Sequence, residues 1–64
     1  MRTIHPELRK QIVNWLFDNQ NAFNRSNACR EHFRAYIYDG DGNYLIGGED
    51  VADYITAMDT ELFR

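Results

Sequence analysis

The chain has 64 residues, with ten acidic against seven basic side chains for a net charge of −3, and one cysteine. That length leaves room for a single small domain, and one thiol rules out an internal disulfide. No apolar run approaches the ~20 residues that a membrane-spanning helix needs.

A chain this short buries only ~60% of the surface its unfolded form exposes, so stability is marginal without help. Four Phe, four Tyr and one Trp supply large packing units, each able to bury ~150–250 Å². Self-association is another remedy for a small core, which makes a homo-oligomer an expectation. The opening MRTIHPELRK has no apolar segment of the signal-peptide kind. Without one, the formal glycosylation acceptor Asn24-Arg25-Ser26 carries no weight. A single thiol suits a reducing compartment, and the expected location is cytoplasmic.

The total charge hides an asymmetry. Residues 1–34 hold six Arg or Lys against three acids, a net of +3, whereas residues 35–64 hold seven acids against Arg64 alone, a net of −6. Such halves either attract each other within one fold or present a charged face to a partner.

Taken in order, residues 1–5 read as a short, poorly ordered lead-in. Pro6 then suits a first helical position, and Glu7 faces the positive end of the helix dipole. Leu8, Ile12, Trp15 and Leu16 recur at helical spacing, widened by Val13 and Phe17, and predict a helix over residues 6–18. Asp18-Asn19-Gln20-Asn21 ends it. Ala22-Phe23 is a short apolar insert beneath the connection. A second helix is expected from Asn24 to Phe33, with Ser26 or Asn27 as cap and Ala28, Cys29 and Phe33 on one face. Its end is ambiguous: Cys29, Phe33, Tyr36 and Ile37 continue a helical spacing, while Phe33, Ala35 and Ile37 alternate as a strand would. The switch is placed near Arg34.

The stretch RAYIYDGDGNYLIGGED, residues 34–50, holds all four glycines. Two short apolar runs flank an Asp-Gly turn, which predicts a β-hairpin with a bulge or longer loop. Gly47-Gly48 then breaks the second strand. A competing reading starts from Asp39, Asp41 and Asn43 at alternate positions with Glu49 or Asp50 near the twelfth. Over these twelve residues the chain resembles an EF-hand calcium loop, which implies a mostly α fold and a calcium site. Tyr44 stands where that loop needs glycine, and Asp50 where it needs glutamate, so the acidic hairpin turn takes precedence. The last segment is plainer: Val51, Tyr54, Ile55, Met58 and Leu62 form one helical face, with Asp50 and Asp53 expected in its first turn. The predicted core is Leu8, Ile12, Trp15, Leu16, Phe33, Val51, Tyr54, Ile55 and Met58.

Chemistry is sparse. Cys29 and His32 are three apart, but a structural zinc needs four ligands, and only His5 offers another imidazole. A Cys–His nucleophile would also need an orienting group, an oxyanion site and a closed pocket, which 64 residues scarcely provide. The glycines do not form a phosphate-binding loop, for the only lysine is Lys10. No enzyme, metal or cofactor is expected.

The fold class read from the sequence is therefore α+β, in the order helix, helix, hairpin, helix, with the mostly α arrangement around an EF-hand-like loop as its alternative. The function expected is a small non-enzymatic protein-interaction or regulatory module, of a size that suits an accessory protein of a phage or mobile element. Trp15, Phe23, Tyr36, Tyr38, Tyr44 and Phe63 are the candidate contacts to a protein partner or a second copy, since aromatic side chains anchor interfaces. The acidic half would also suit imitation of nucleic acid toward a DNA-binding protein. The alternative is a DNA-binding regulator of helix-turn-helix or reduced winged-helix type, reading DNA through Arg25, Arg30, His32 and Arg34 on the second helix. A pI near 5.1 and an acidic wing count against it.

Overall fold

A proline at the first helical position and a histidine before it start the first element. In the computed structural model, which describes residues 4–63, α1 spans Pro6–Asp18. His5 Nδ1 accepts the Glu7 amide at 3.1 Å, so His5 caps the helix rather than trailing loosely ahead of it. Residues 1–3 of the expected lead-in lie outside the described residues. At the other end the Asn19 amide and its side-chain Nδ2 both donate to the Trp15 carbonyl, the Nδ2 at 2.9 Å, and stop the helix where the Asp/Asn run predicts.

The second helix, α2, spans Arg25–His32. Its cap is Asn24, held in the left-handed region at φ 48° without a side-chain bond, so Ser26 and Asn27 lie inside the first turn instead of capping it. The chain then kinks at Phe33 and forms one further helical turn, α3, over Arg34–Ile37. The ambiguity between helix and strand resolves in favour of the helix because Cys29, Phe33 and Ile37, each four apart, all reach the core. A strand would have buried Ala35 beside Phe33 and Ile37, and Ala35 is exposed.

The expected β-hairpin is not formed, and with it the α+β class falls. Among the described residues there are four helices and no sheet. Extended pairing is confined to one antiparallel bridge between Tyr38 and Tyr44. The turn residues act as anticipated but close the loop too early for two strands. Asp39 Oδ1 accepts the amides of Asp41 at 2.9 Å and Asn43 at 3.0 Å, and Gly42 takes the positive φ that this compact turn requires. What would be the second strand instead runs back onto a helix end, where the Leu45 amide donates to the Ile37 carbonyl at 2.8 Å.

The last helix, α4, spans Gly48–Leu62, with Gly47 as its left-handed cap at φ 81°. It starts earlier than expected, so Glu49 and Asp50 occupy the first turn and Asp53 lies beyond it. Gly48 is buried against the backbone of Ile37, and a Cβ placed there would stand 2.1 Å from the Ile37 carbonyl oxygen. Ile12, Leu16, Cys29, Phe33, Ile37, Val51, Ala52 and Ile55 make one core. Leu8, Trp15, Tyr54 and Met58 pack against its margin, half-buried rather than enclosed. Each helix thus supplies at least one fully or nearly buried side chain. No helix of the described residues is long and apolar enough to cross a membrane.

Candidate interaction surface

The side chains proposed from sequence as contact residues separate into two groups and one outlier. At one end of the molecule the Tyr38 and Tyr44 rings stack, with centroids 5.1 Å apart and planes 27° from parallel. The Arg34 guanidinium lies over Tyr38 at 5.0 Å. Tyr36 packs beside Phe33 with its own ring half in solvent. Two residues not singled out from sequence complete this group. Leu45 is exposed, and Ile46 is 89% exposed.

The reason lies in the backbone. With Leu45 tied to Ile37 and the Gly48 amide donating to the Leu45 carbonyl at 2.8 Å, residues 44–46 bow outward over the start of α4. A β-branched side chain is thereby held in water beside a concavity of about 260 Å³ lined by Ile4, His5, Leu8, Tyr36, Ile46, Gly47, Asp50 and Val51. Ile46 had counted as the end of a strand. Its place directly before Gly47-Gly48 was the available signal that nothing would cover it.

Carboxylates rim this end. Asp39, Asp41, Glu49, Asp50 and Asp53 form no ion pair among the described residues, and no Lys or Arg occurs from Ala35 to Phe63. The Tyr44 hydroxyl is pushed above its ordinary range, first by its pairing with the Tyr38 hydroxyl and then by the Glu49 and Asp53 carboxylates. Asp39 has one carboxylate oxygen committed to the backbone of the turn, the position that the calcium reading made a first ligand. No group of three or more His, Cys, Asp or Glu among the described residues is placed to hold a metal ion.

The second group is internal. Phe63 packs edge-on against Phe17 at 5.5 Å, and the Arg25 guanidinium covers the Phe63 ring at 3.9 Å. Trp15 is half-buried against His32, ring centroids 5.5 Å apart. Trp15 and Phe63 therefore belong to packing more than to open surface. Phe23 is the outlier: at 97% exposure it plugs nothing, contrary to its expected place beneath the connection.

The cationic set on α2 and α3 is largely occupied. Arg25 donates to the Asp59 carboxylate and to the Gln20 carbonyl, and Arg30 donates to the Thr56 hydroxyl. His32 lies between Trp15 and Phe33, and Arg34 stands 4.0 Å from Glu31. Charge asymmetry in the sequence is thus partly spent inside the fold, α2 against α4. No family model matches the chain, and no curated protein or solved structure matches it.

Proposed function

We propose that the protein is a small, non-enzymatic interaction module of the cytoplasm that docks a protein partner on the end formed by Tyr36, Tyr44, Leu45 and Ile46. The observation that carries this reading is the outward bow of residues 44–46, which holds Ile46 almost wholly in water beside a partly apolar concavity. Scattered exposed apolar residues need no explanation, whereas a contiguous set with a polar rim marks an interaction site. Here the rim is acidic, and aromatic and aliphatic side chains sit at its centre, the usual layout of an interface. The DNA-binding alternative draws little support, because two of its four candidate residues, Arg25 and Arg30, already bond α4 or the connection before α2.

A photo-crosslinking residue placed at position 46, and in a control at exposed Asn14 on α1, tests this in lysate of the source cell and with purified protein. A partner, or a second copy, is expected to crosslink from position 46 alone, to be displaced by excess unlabelled protein, and to be lost in Tyr36→Ser. Identical captures from positions 46 and 14 overturn the reading.

A further inference from the structure

We propose that the partner docked on this end is a second copy of the chain, paired about a two-fold axis. Ile46 of each copy enters the concavity of the other, and Asp50 of each meets Arg9 of the other. The pairing rests on the interaction reading above and names its occupant.

One surface carries both halves of such a contact. Ile46, 89% exposed, stands on the margin of the concavity of about 260 Å³. Ile4, His5 and Leu8 line it from the start of α1, and Tyr36 and Val51 add to its lining. An aliphatic knob beside a partly apolar hole is self-complementary under a half-turn, because the knob of each copy lands on the hole of the other. Within one chain Ile46 does not fill that hole, since the bow of residues 44–46 holds its side chain in water.

Charge divides the same surface in two. On the α4 side, Asp50 lines the concavity and has no ion-pair partner among the described residues. On the α1 side, Arg9 comes one residue after Leu8, its amide bonded to the His5 carbonyl at 3.0 Å. His5 and Leu8 line this concavity and Arg9 lines the next one along α1, so Arg9 stands on the ridge between them. It too has no ion-pair partner among the described residues. His5 adds a neutral donor: its Nδ1 accepts the Glu7 amide, which places the ring proton on Nε2. A half-turn exchanges the two sides and sets acid against base at both margins. Any other occupant would have to present an aliphatic knob between an acid and a base, an arrangement this surface already holds. Lys10 and Asn14 line the neighbouring concavity and fall outside the contact.

The test is sedimentation of the purified full chain from low micromolar to near-millimolar concentration. A reversible monomer–dimer equilibrium that stops at two copies is expected, because an isologous contact closes on itself. Ile46→Glu, at an exposed position that the fold does not use, should abolish it. Arg9→Glu alone and Asp50→Arg alone each set like charges together twice and should weaken the dimer by roughly tenfold. An equimolar mixture of those two variants restores both acid–base contacts and should recover the parent dimer to within about threefold, a rescue that mere damage to the fold would not produce. A monomer at every concentration, an Ile46→Glu chain that still dimerises, growth beyond two copies, or a mixture no better than its components overturns the proposal. If the purified chain stays monomeric while position 46 still crosslinks a protein in lysate, the second copy falls and the interaction surface stands; if both fail, both fall.

Discussion

Gly48 is the residue on which the approach of α4 to α3 depends. The 2.1 Å that would separate an added Cβ from the Ile37 carbonyl is far inside van der Waals contact, and the obstacle is backbone, which cannot rotate aside. Gly48→Ala should therefore cost about 3 kcal/mol or more, beyond the usual range for overpacking by one methyl. A urea melt with an unchanged midpoint would show that the helix start is not pinned there. Cys29 is the other decisive residue. It is fully buried, and that burial pushes its thiol up to about 11, with Asp59 adding to the rise and Arg30 opposing it. The neutral thiol is thus the form that the fold holds, while the unfolded chain ionises near its ordinary 9.0. Between those values the unfolded state binds fewer protons, so stability falls as pH rises. Its contribution is fully present below pH 9 and lost as pH climbs through about 11, a change of about 2–3 kcal/mol. Cys29→Ala, measured by melts from pH 7 to 11, should flatten this part of the profile, and slow thiol labelling below pH 9 should accelerate only on unfolding.

Among the elements, α1 and α4 were legible because their apolar side chains keep helical spacing for three turns or more, with Pro6 marking one start. The stretch between them was not. Aromatic and β-branched residues around Asp-Gly are what a hairpin is made of, but here Asp39 draws in the amides of Asp41 and Asn43 and shortens the turn. Ile37 then finds its partners at helical spacing from Cys29 and Phe33, and tertiary burial outweighs strand propensity. Of the candidate surface, the tyrosines were legible as a group, whereas Leu45 and Ile46 were hidden by their assignment to a strand. Between α2 and α4 the main polar tie is Arg25, whose side chain reaches Asp59, Phe63 and the Gln20 carbonyl at once. Arg25→Ala should lower stability by roughly 1–3 kcal/mol, because it strips a part-buried carboxylate of its partner. Arg25→Lys should recover less than half of that, since a lysine cannot stack and fork together. Equal melting temperatures for the lysine variant and the parent would deny the ring contact any role.

For the molecule as a whole, stability rests on one core of eight residues shared by four short helices. Ile12 and Ile55 are both fully enclosed, and truncation of either to alanine should cost ~2–5 kcal/mol. In a domain of this size such a loss is comparable with the total margin, so calorimetry should find Ile12→Ala or Ile55→Ala largely unfolded at 37 °C. Leu8→Ala, at the half-buried margin, should cost visibly less. The basic and acidic halves read from sequence are neither wholly an internal pairing nor wholly a surface: α2 uses part of the positive charge against the end of α4, while the loop and the start of α4 keep their negative charge.

The bow at residues 44–46 is fastened at both ends, Leu45 to the Ile37 carbonyl and Gly48 to the Leu45 carbonyl. Whatever settles on Ile46 thereby touches a segment that is hydrogen-bonded to the backbone of Ile37, a core residue, and is ordered only in the folded chain. Occupancy and folding are then a single linked equilibrium. A ligand at a hundred times its dissociation constant would add ~2.7 kcal/mol to the unfolding free energy. The melting temperature of this chain, followed against a panel of candidate proteins, becomes a sensor for its own partner.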